Sequence, residues 1–190
     1  MPNKLNFRSG ILILMVFIAA FSRLIPHPPN FTPIGGMALF GAAYFAKKYM
    51  SFIVPLAAMW LSDLFYNNVI LPAQFPEYYT GFQWFGNIWV YAAFALIVVI
   101  GMKLLKEVKT KNVAIAALSS ATLFFLVTNF GSWATGVMYS KDLSGLIASY
   151  TAGIPFFGNT LMGDLLYSGV LFGAFELMKK EVPQLTKVGS

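Results

Sequence analysis

There is no cysteine in the 190 residues and only one histidine. The first absence excludes disulfides, thiolate metal sites and a cysteine nucleophile. The second leaves too few imidazoles to specify a metal centre. Charge is scarce as well: 11% of residues are acidic or basic, against about 25% in soluble domains. No GxxxxGK[ST] loop is present to hold ATP, and no HExxH or serine nucleophile-elbow motif points to hydrolytic chemistry. No enzyme activity, cofactor or metal is expected.

What remains is apolar. Hydrophobic residues make up 58% of the chain and aromatics 17%, with a mean hydropathy of +0.69. A transmembrane helix takes about 20 residues, so six spans with short loops would occupy nearly the whole chain as one domain, 1–190. The apolar runs place them near 10–26, 34–50, 51–71, 85–105, 112–134 and 156–178. The second has a clean apolar core of only 13 residues, Ile34 to Ala46. The apolar stretch from Leu143 to Pro155 is too short to span and reads as a separate re-entrant or interfacial helix. The N-terminal run continues past Ser22 to Ile25, which favours a first span over a cleaved leader.

The net charge of +6 is a topology signal and gives no evidence for nucleic acid. With the N-terminus inside, eleven basic residues fall on the inner side: Lys4, Arg8, Lys47, Lys48, Lys103, Lys106, Lys109, Lys111, Lys179, Lys180 and Lys187. Only Arg23 and Lys141 fall outside. The expected architecture is an all-α integral membrane protein, a six-helix bundle with both termini cytoplasmic.

Topology converts sequence position into depth. Asp63 lies about seven residues below the outer end of the third span and Asp164 about eight below that of the sixth, roughly 10–12 Å at about 1.5 Å per residue. Asn129 lies at a similar level on the fifth span. A carboxylate at membrane depth costs about 2.5–3.5 kcal/mol even on the lenient insertion scale, so it usually faces a bundle interior, a partner or a substrate. Helical spacing extends each into a stripe: Trp60, Asp63, Tyr66 and Asn67; Thr122, Asn129, Ser132 and Trp133; Thr160, Asp164, Tyr167 and Ser168. Asn87 and Tyr91 offer a fourth. These are the ingredients of a small-molecule pocket, with Arg23, His27, Asn30 and Asn159 as further candidates.

Plainer readings stand beside this one. Asn129, Thr122 and Ser132 suit interhelical hydrogen-bond glue. Trp84, Trp89, Tyr78, Tyr79 and Tyr139 suit an interfacial aromatic belt. Arg23, the only arginine near the polar layer, can pair with one aspartate and leaves the other free. Four prolines between Pro26 and Pro33 make the first outer loop a stiff, extended segment carrying His27 and Asn30, a lid or simply a rigid turn. Ala38, Ala42 and Ala46, and Gly169 with Gly173, are small-xxx-small runs for close packing within the bundle or against a partner. Ser62–Asn67 and Gly163–Ser168 share three of six positions, a hint of two inverted halves.

The segments Arg23 to Pro33, Thr128 to Gly131 and Ile154 to Asp164 resemble a family of small, largely uncharacterised bacterial membrane proteins labelled as transporters. Size, span count and an outer-leaflet pocket resemble the S components of energy-coupling-factor transporters. That resemblance implies a vitamin-like substrate held under the loop between the first two helices. It also implies a membrane coupling subunit with ATPases as partner, and residence in the bacterial cytoplasmic membrane. Pro26 to Pro33 would be the lid, and Asp63, Asn129 and Asp164 the pocket floor. S components commonly carry the small-residue face on the first helix, whereas here it lies on the second. A corrinoid ligand would find His27 as the only imidazole. The competing expectation is a proton- or cation-coupled carrier cycling Asp63 and Asp164, and a membrane-embedded enzyme using the two carboxylates ranks behind it.

Overall fold

The computed structural model describes residues 7–79 and 81–186, so Lys4 and Lys187 of the charge argument lie outside the described residues. The described residues form six main helices: α1 (Phe7–Ser22), α2 (Ile34–Tyr44), α3 (Lys48–Gln74), α4 (Ile88–Leu104), α5 (Thr110–Thr135) and α6 (Leu143–Glu181). A short 3₁₀ turn, Pro183–Leu185, follows. Among the described residues α3, α5 and α6 are long and apolar enough to cross a membrane, and α1, α2 and α4 are shorter apolar helices. The chain is an all-α, multi-pass integral membrane protein.

The second helix is the axle of the bundle. It has no polar face, and a helix that is apolar all round belongs in a core. Nine of its 11 residues are buried, and it touches all five other helices. At about 1.5 Å per residue it is only about 16 Å long, too short to span. The backbone turns extended at Phe45, so the helix stops at Tyr44 and Ala46 falls in the exposed turn before α3. The span expected over 34–50 is thus a short central helix with its loop folded down above it.

Small residues let neighbours approach α2. A Cβ on Gly41 would meet Pro55 Cγ of α3 at 2.9 Å, and one on Gly101 of α4 would meet Ala42 at 2.7 Å. Pro55 lacks an amide hydrogen and frees the carbonyl one turn before it, yet the helix runs on because its neighbours hold it. Below, Phe40, Tyr44, Phe172 and Phe175 form an aromatic cluster with ring centroids 4.5–5.7 Å apart. The Tyr44 hydroxyl donates to Glu176 at 2.6 Å, and Lys179 closes that end of the bundle on the same carboxylate at 2.9 Å.

The largest difference from the sequence reading is α6. The stretch 143–155 is no separate helix but the first third of a continuous 39-residue helix that passes through Pro155. Pro155 is exposed, so its ring meets no packed neighbour. The preceding turns are tied to α5 by side chains that reach its backbone carbonyls: Ser149 donates to Asn129 O at 2.7 Å and Tyr150 to Leu126 O at 2.9 Å. Tertiary hydrogen bonds of this kind carry a helix past a proline. The helix begins on Asp142, whose Oδ1 accepts from the Gly145 amide at 2.8 Å.

Candidate functional site

The polar residues expected in one layer occupy three neighbourhoods. The first is an ion pair. Arg23, just beyond α1, donates to Asp63 Oδ1 at 2.5 Å, and the Tyr91 hydroxyl of α4 donates to Oδ2 at 2.6 Å. The two charged side chains are 14% and 8% exposed. The guanidinium also lies 5.5 Å from the Tyr66 ring centroid. Gly86 seals the carboxylate from the side, since a Cβ there would stand 2.7 Å from Oδ2. Asp63 therefore joins α1, α3 and α4. Trp60 lies on the flank of this cluster, donating to Trp84 O at 2.9 Å and facing an apolar groove with Phe85. Asn67 sits half-buried where α3 widens into an i→i+5 turn at Tyr66–Ile70.

The second neighbourhood is the loop. Its residues lie along α6: Asn159 donates to Pro29 O at 2.9 Å, and a Cβ on Gly163 would meet the Thr32 backbone at 3.0 Å. Phe31 and Tyr167 have ring centroids 6.2 Å apart, and the Tyr167 hydroxyl accepts from Ser22 at 2.9 Å. Asn30 has a φ of 62°, the left-handed turn that asparagine tolerates better than most residues. Both His27 ring nitrogens face backbone carbonyls, Nε2 that of Arg23 at 3.0 Å and Nδ1 that of Pro28 at 2.9 Å. His27 is thus turned into its own loop.

The third is a cavity. A chamber of about 240 Å³ lies between α4, α5, α6 and the loop, lined by Asn30, Asn87, Asn129, Thr128, Ser132 and Thr160 on its polar side. Phe124, Phe125, Phe156 and Phe157 form its apolar side, with Phe125 and Phe157 centroids 5.6 Å apart. An outer vestibule of about 490 Å³ shares Asn87, Asn129, Ser132, Gly153 and Phe156 with it. Among the described residues no acidic or basic side chain lines either space. Asn129 donates its amide to Phe125 O at 2.8 Å, which leaves Oδ1 to turn toward Gly153, where a Cβ would overlap it. Asn87 caps α4 by accepting from Trp89 N at 2.9 Å, so its Nδ2 remains a donor. Trp133 stands at the outer end of α5 and donates to Ser140 O at 3.0 Å.

One protein-family model matches residues 3–185. The chain belongs to the DUF6580 family, a family of unknown function. No curated protein and no solved structure matches it.

Asp164 belongs to none of the three groups. It is 2% exposed and lies under α2, where a Cβ on Gly35 would overlap both carboxylate oxygens. Of the small-residue runs, Ala38 is fully buried and Ala42 meets Gly101, whereas Cβ atoms on Gly169 and Gly173 would meet nothing within 4 Å. Those two glycines line an open inner groove instead of a packed interface. Sequence reasoning missed Ser120, which faces Asp164 from α5, and the phenylalanine wall of the chamber. Ser120 was legible in principle: with Ala116, Ala117 and Ala121 it makes a small-residue face inside an otherwise bulky apolar helix.

Outside the membrane-spanning segments, one carboxyl is shifted. The Gly145 amide and the Ser144 and Ser140 hydroxyls hold the Asp142 carboxyl below the ordinary aspartate range.

Proposed function

We propose that this chain is a substrate-capture protein of a transport system, S-component-like in plan, with six spans in the bacterial cytoplasmic membrane and both termini on its cytoplasmic side. The charge distribution supports the orientation. Lys47, Lys48, Lys103, Lys106, Lys109, Lys179 and Lys180 gather at one end of the bundle, with Arg23 and Lys141 at the other. In this orientation the chamber opens outward, with Asn30 of the Pro26 to Pro33 loop in its lining.

The observation that carries the reading is the chamber lining. Three carboxamides and three hydroxyls face four phenyl rings with no charge among them. Such a wall recognises a small, flat, uncharged ring compound that carries both donors and acceptors. It offers no counter-charge to a cationic or anionic ligand. A chamber of about 240 Å³ suits one or two fused rings, and His27, turned into its own loop, offers no imidazole to a corrinoid there. A membrane coupling subunit with ATPases is the source of energy in this reading, because the chain has no nucleotide-binding loop.

The test is thermal stability of the detergent-purified protein against a library of uncharged ring-bearing nutrients, with Asn129→Leu beside the parent. A ligand at 100-fold its dissociation constant adds about 2.7 kcal/mol. A stabilising compound whose effect is lost in Asn129→Leu supports capture. No stabilisation by any such compound, or an effect that survives the substitution, refutes this site.

A further inference from the structure

Asp164 is buried without a counter-ion. Among the described residues the ion pairs are Arg23–Asp63, Lys109–Glu107 and Lys179–Glu176. Its carboxyl faces the Ser120 hydroxyl of α5 and the Gly35 backbone in the first turn of α2. Even so, Asp164 Oδ2, Ser120 Oγ and Ser168 Oγ are each buried with no hydrogen bond of acceptable geometry. Three orphaned oxygens on facing turns of two helices are costly in a membrane interior, where each buried polar group needs a partner. The serine hydroxyls can donate to the carboxylate, but that leaves its charge buried without a counter-ion. Protonation removes the charge and lets Oδ2 donate to a serine oxygen instead.

The vertical position adds a second, independent argument. Thr160, Asp164 and Ser168 are spaced by four residues on one face of α6, and all three are buried. Thr160 lines the outer chamber. Ser168 lines a separate groove of about 370 Å³ between α5 and α6, which runs past Gly169 and Gly173 to Glu176 at the basic end. Asp164 therefore stands about 6 Å from each space along the helix, in the wall between them.

We propose that Asp164 is a proton-binding site between the outer chamber and the inner groove. A proton from water in either space converts the carboxylate to the acid, and the acid donates to Ser120 or Ser168. On release, the carboxylate accepts from those hydroxyls and faces the positive end of α2. The groups that face the carboxyl are Gly35 of α2 and Ser120 of α5, neither of them titratable; the adjoining Gly36 and Thr32 lie against Tyr167, Ser168 and Gly163. Tyr167, on α6 itself, has its hydroxyl on Ser22. Asp63 takes no part, since Arg23 and Tyr91 already hold both its oxygens. The proposal is independent of what the chamber binds.

The test is infrared titration of the full chain in lipid nanodiscs, in sodium and in choline buffers. A protonated carboxyl band that is lost in Asp164→Asn, and whose frequency shifts in Ser120→Ala or Ser168→Ala, is the expected result. Its midpoint should be the same in both buffers. Absence of any Asp164-dependent acid band across the pH range overturns the proposal. So does a midpoint that moves with sodium, which would make the site a cation site. If Asp164→Asn does not fold, the two serine variants decide alone: an acid band unchanged in both overturns the assignment. Ligand stabilisation through Asn129 is read separately, so either idea can fail without the other.

Discussion

Removing Arg23 is the perturbation whose consequence can be worked furthest. The Arg23–Asp63 pair is largely buried, with Tyr91 donating to the second carboxylate oxygen. Two magnitudes compete. An ordinary interhelical hydrogen bond in a membrane protein is worth about 0.6 kcal/mol on average. Stranding one member of a buried ion pair costs about 3–5 kcal/mol, because the remaining charge has lost its compensation. Tyr91→Phe removes a hydrogen bond and leaves the pair, so it should cost about 1 kcal/mol or less. Arg23→Ala strands Asp63 and should cost several times more. The double variant Arg23→Ala/Asp63→Ala strands nothing and should recover at least about 1.5 kcal/mol relative to the sum of the single changes. Reversible unfolding in mixed micelles, followed by tryptophan fluorescence, measures all four proteins. If Arg23→Ala costs no more than Tyr91→Phe, or the double variant shows no coupling, the pair is not the clamp between α1, α3 and α4 described above.

Other expectations follow from the same contacts. Gly35→Ala drives a methyl into the Asp164 carboxylate and should abolish folding or cost more than 3 kcal/mol, about the scale of severe overpacking; a stable variant by thermal melt would refute the close approach. Gly169→Ala and Gly173→Ala meet nothing, so each should hold or raise stability, by about 0.5–1 kcal/mol from helix propensity, in the same melt. Phe40→Ala empties the centre of the aromatic cluster and should cost about 3–5 kcal/mol by chemical denaturation. Asp142 binds its proton less readily in the folded protein than in the unfolded chain, so its contribution is present above the ordinary aspartate range and is lost as pH falls through its lowered value. Hydrogen exchange should show the first turn of α6 opening at that acid limit, and Asp142→Ala should show the same opening at neutral pH.

Much of the bundle was readable because apolar run length and lysine placement are one-dimensional signals. Depth was not readable on α6: the count assumed a start at Phe156, whereas the helix starts at Leu143, so Asp164 lies 21 residues from that end. Azimuth was not readable either. Nothing in the residues beside Asp63 and Asp164 says that one faces Arg23 and the other Gly35. The shortness of α2 was hidden for a different reason: residues 34–50 are apolar enough for a span, and the helix stops where the backbone turns extended at Phe45. Pro155 misled in the opposite direction. It is ordinarily a stop signal, and its override depends on Ser149 and Tyr150 reaching a neighbouring helix. The asparagine chamber was half legible, with Asn129 and Asn30 visible as polar residues near the rim. Its phenylalanine wall was hidden among the 19 phenylalanines of the chain.

The unbroken α6 makes the protein a lever. One rod carries Gly153 and Phe156 in the vestibule wall, Asp164 at mid-length, and Glu176 and Lys179 at the lysine-rich end. About 25 Å of helix separates Asp164 from its inner terminus, so a tilt of about 5° about that fulcrum would swing the terminus by about 2 Å. Had the chain hinged at Pro155, an event in the vestibule would have been absorbed locally. With no break there, a tilt set at the vestibule wall would carry through to Glu176 and Lys179 on the same rod.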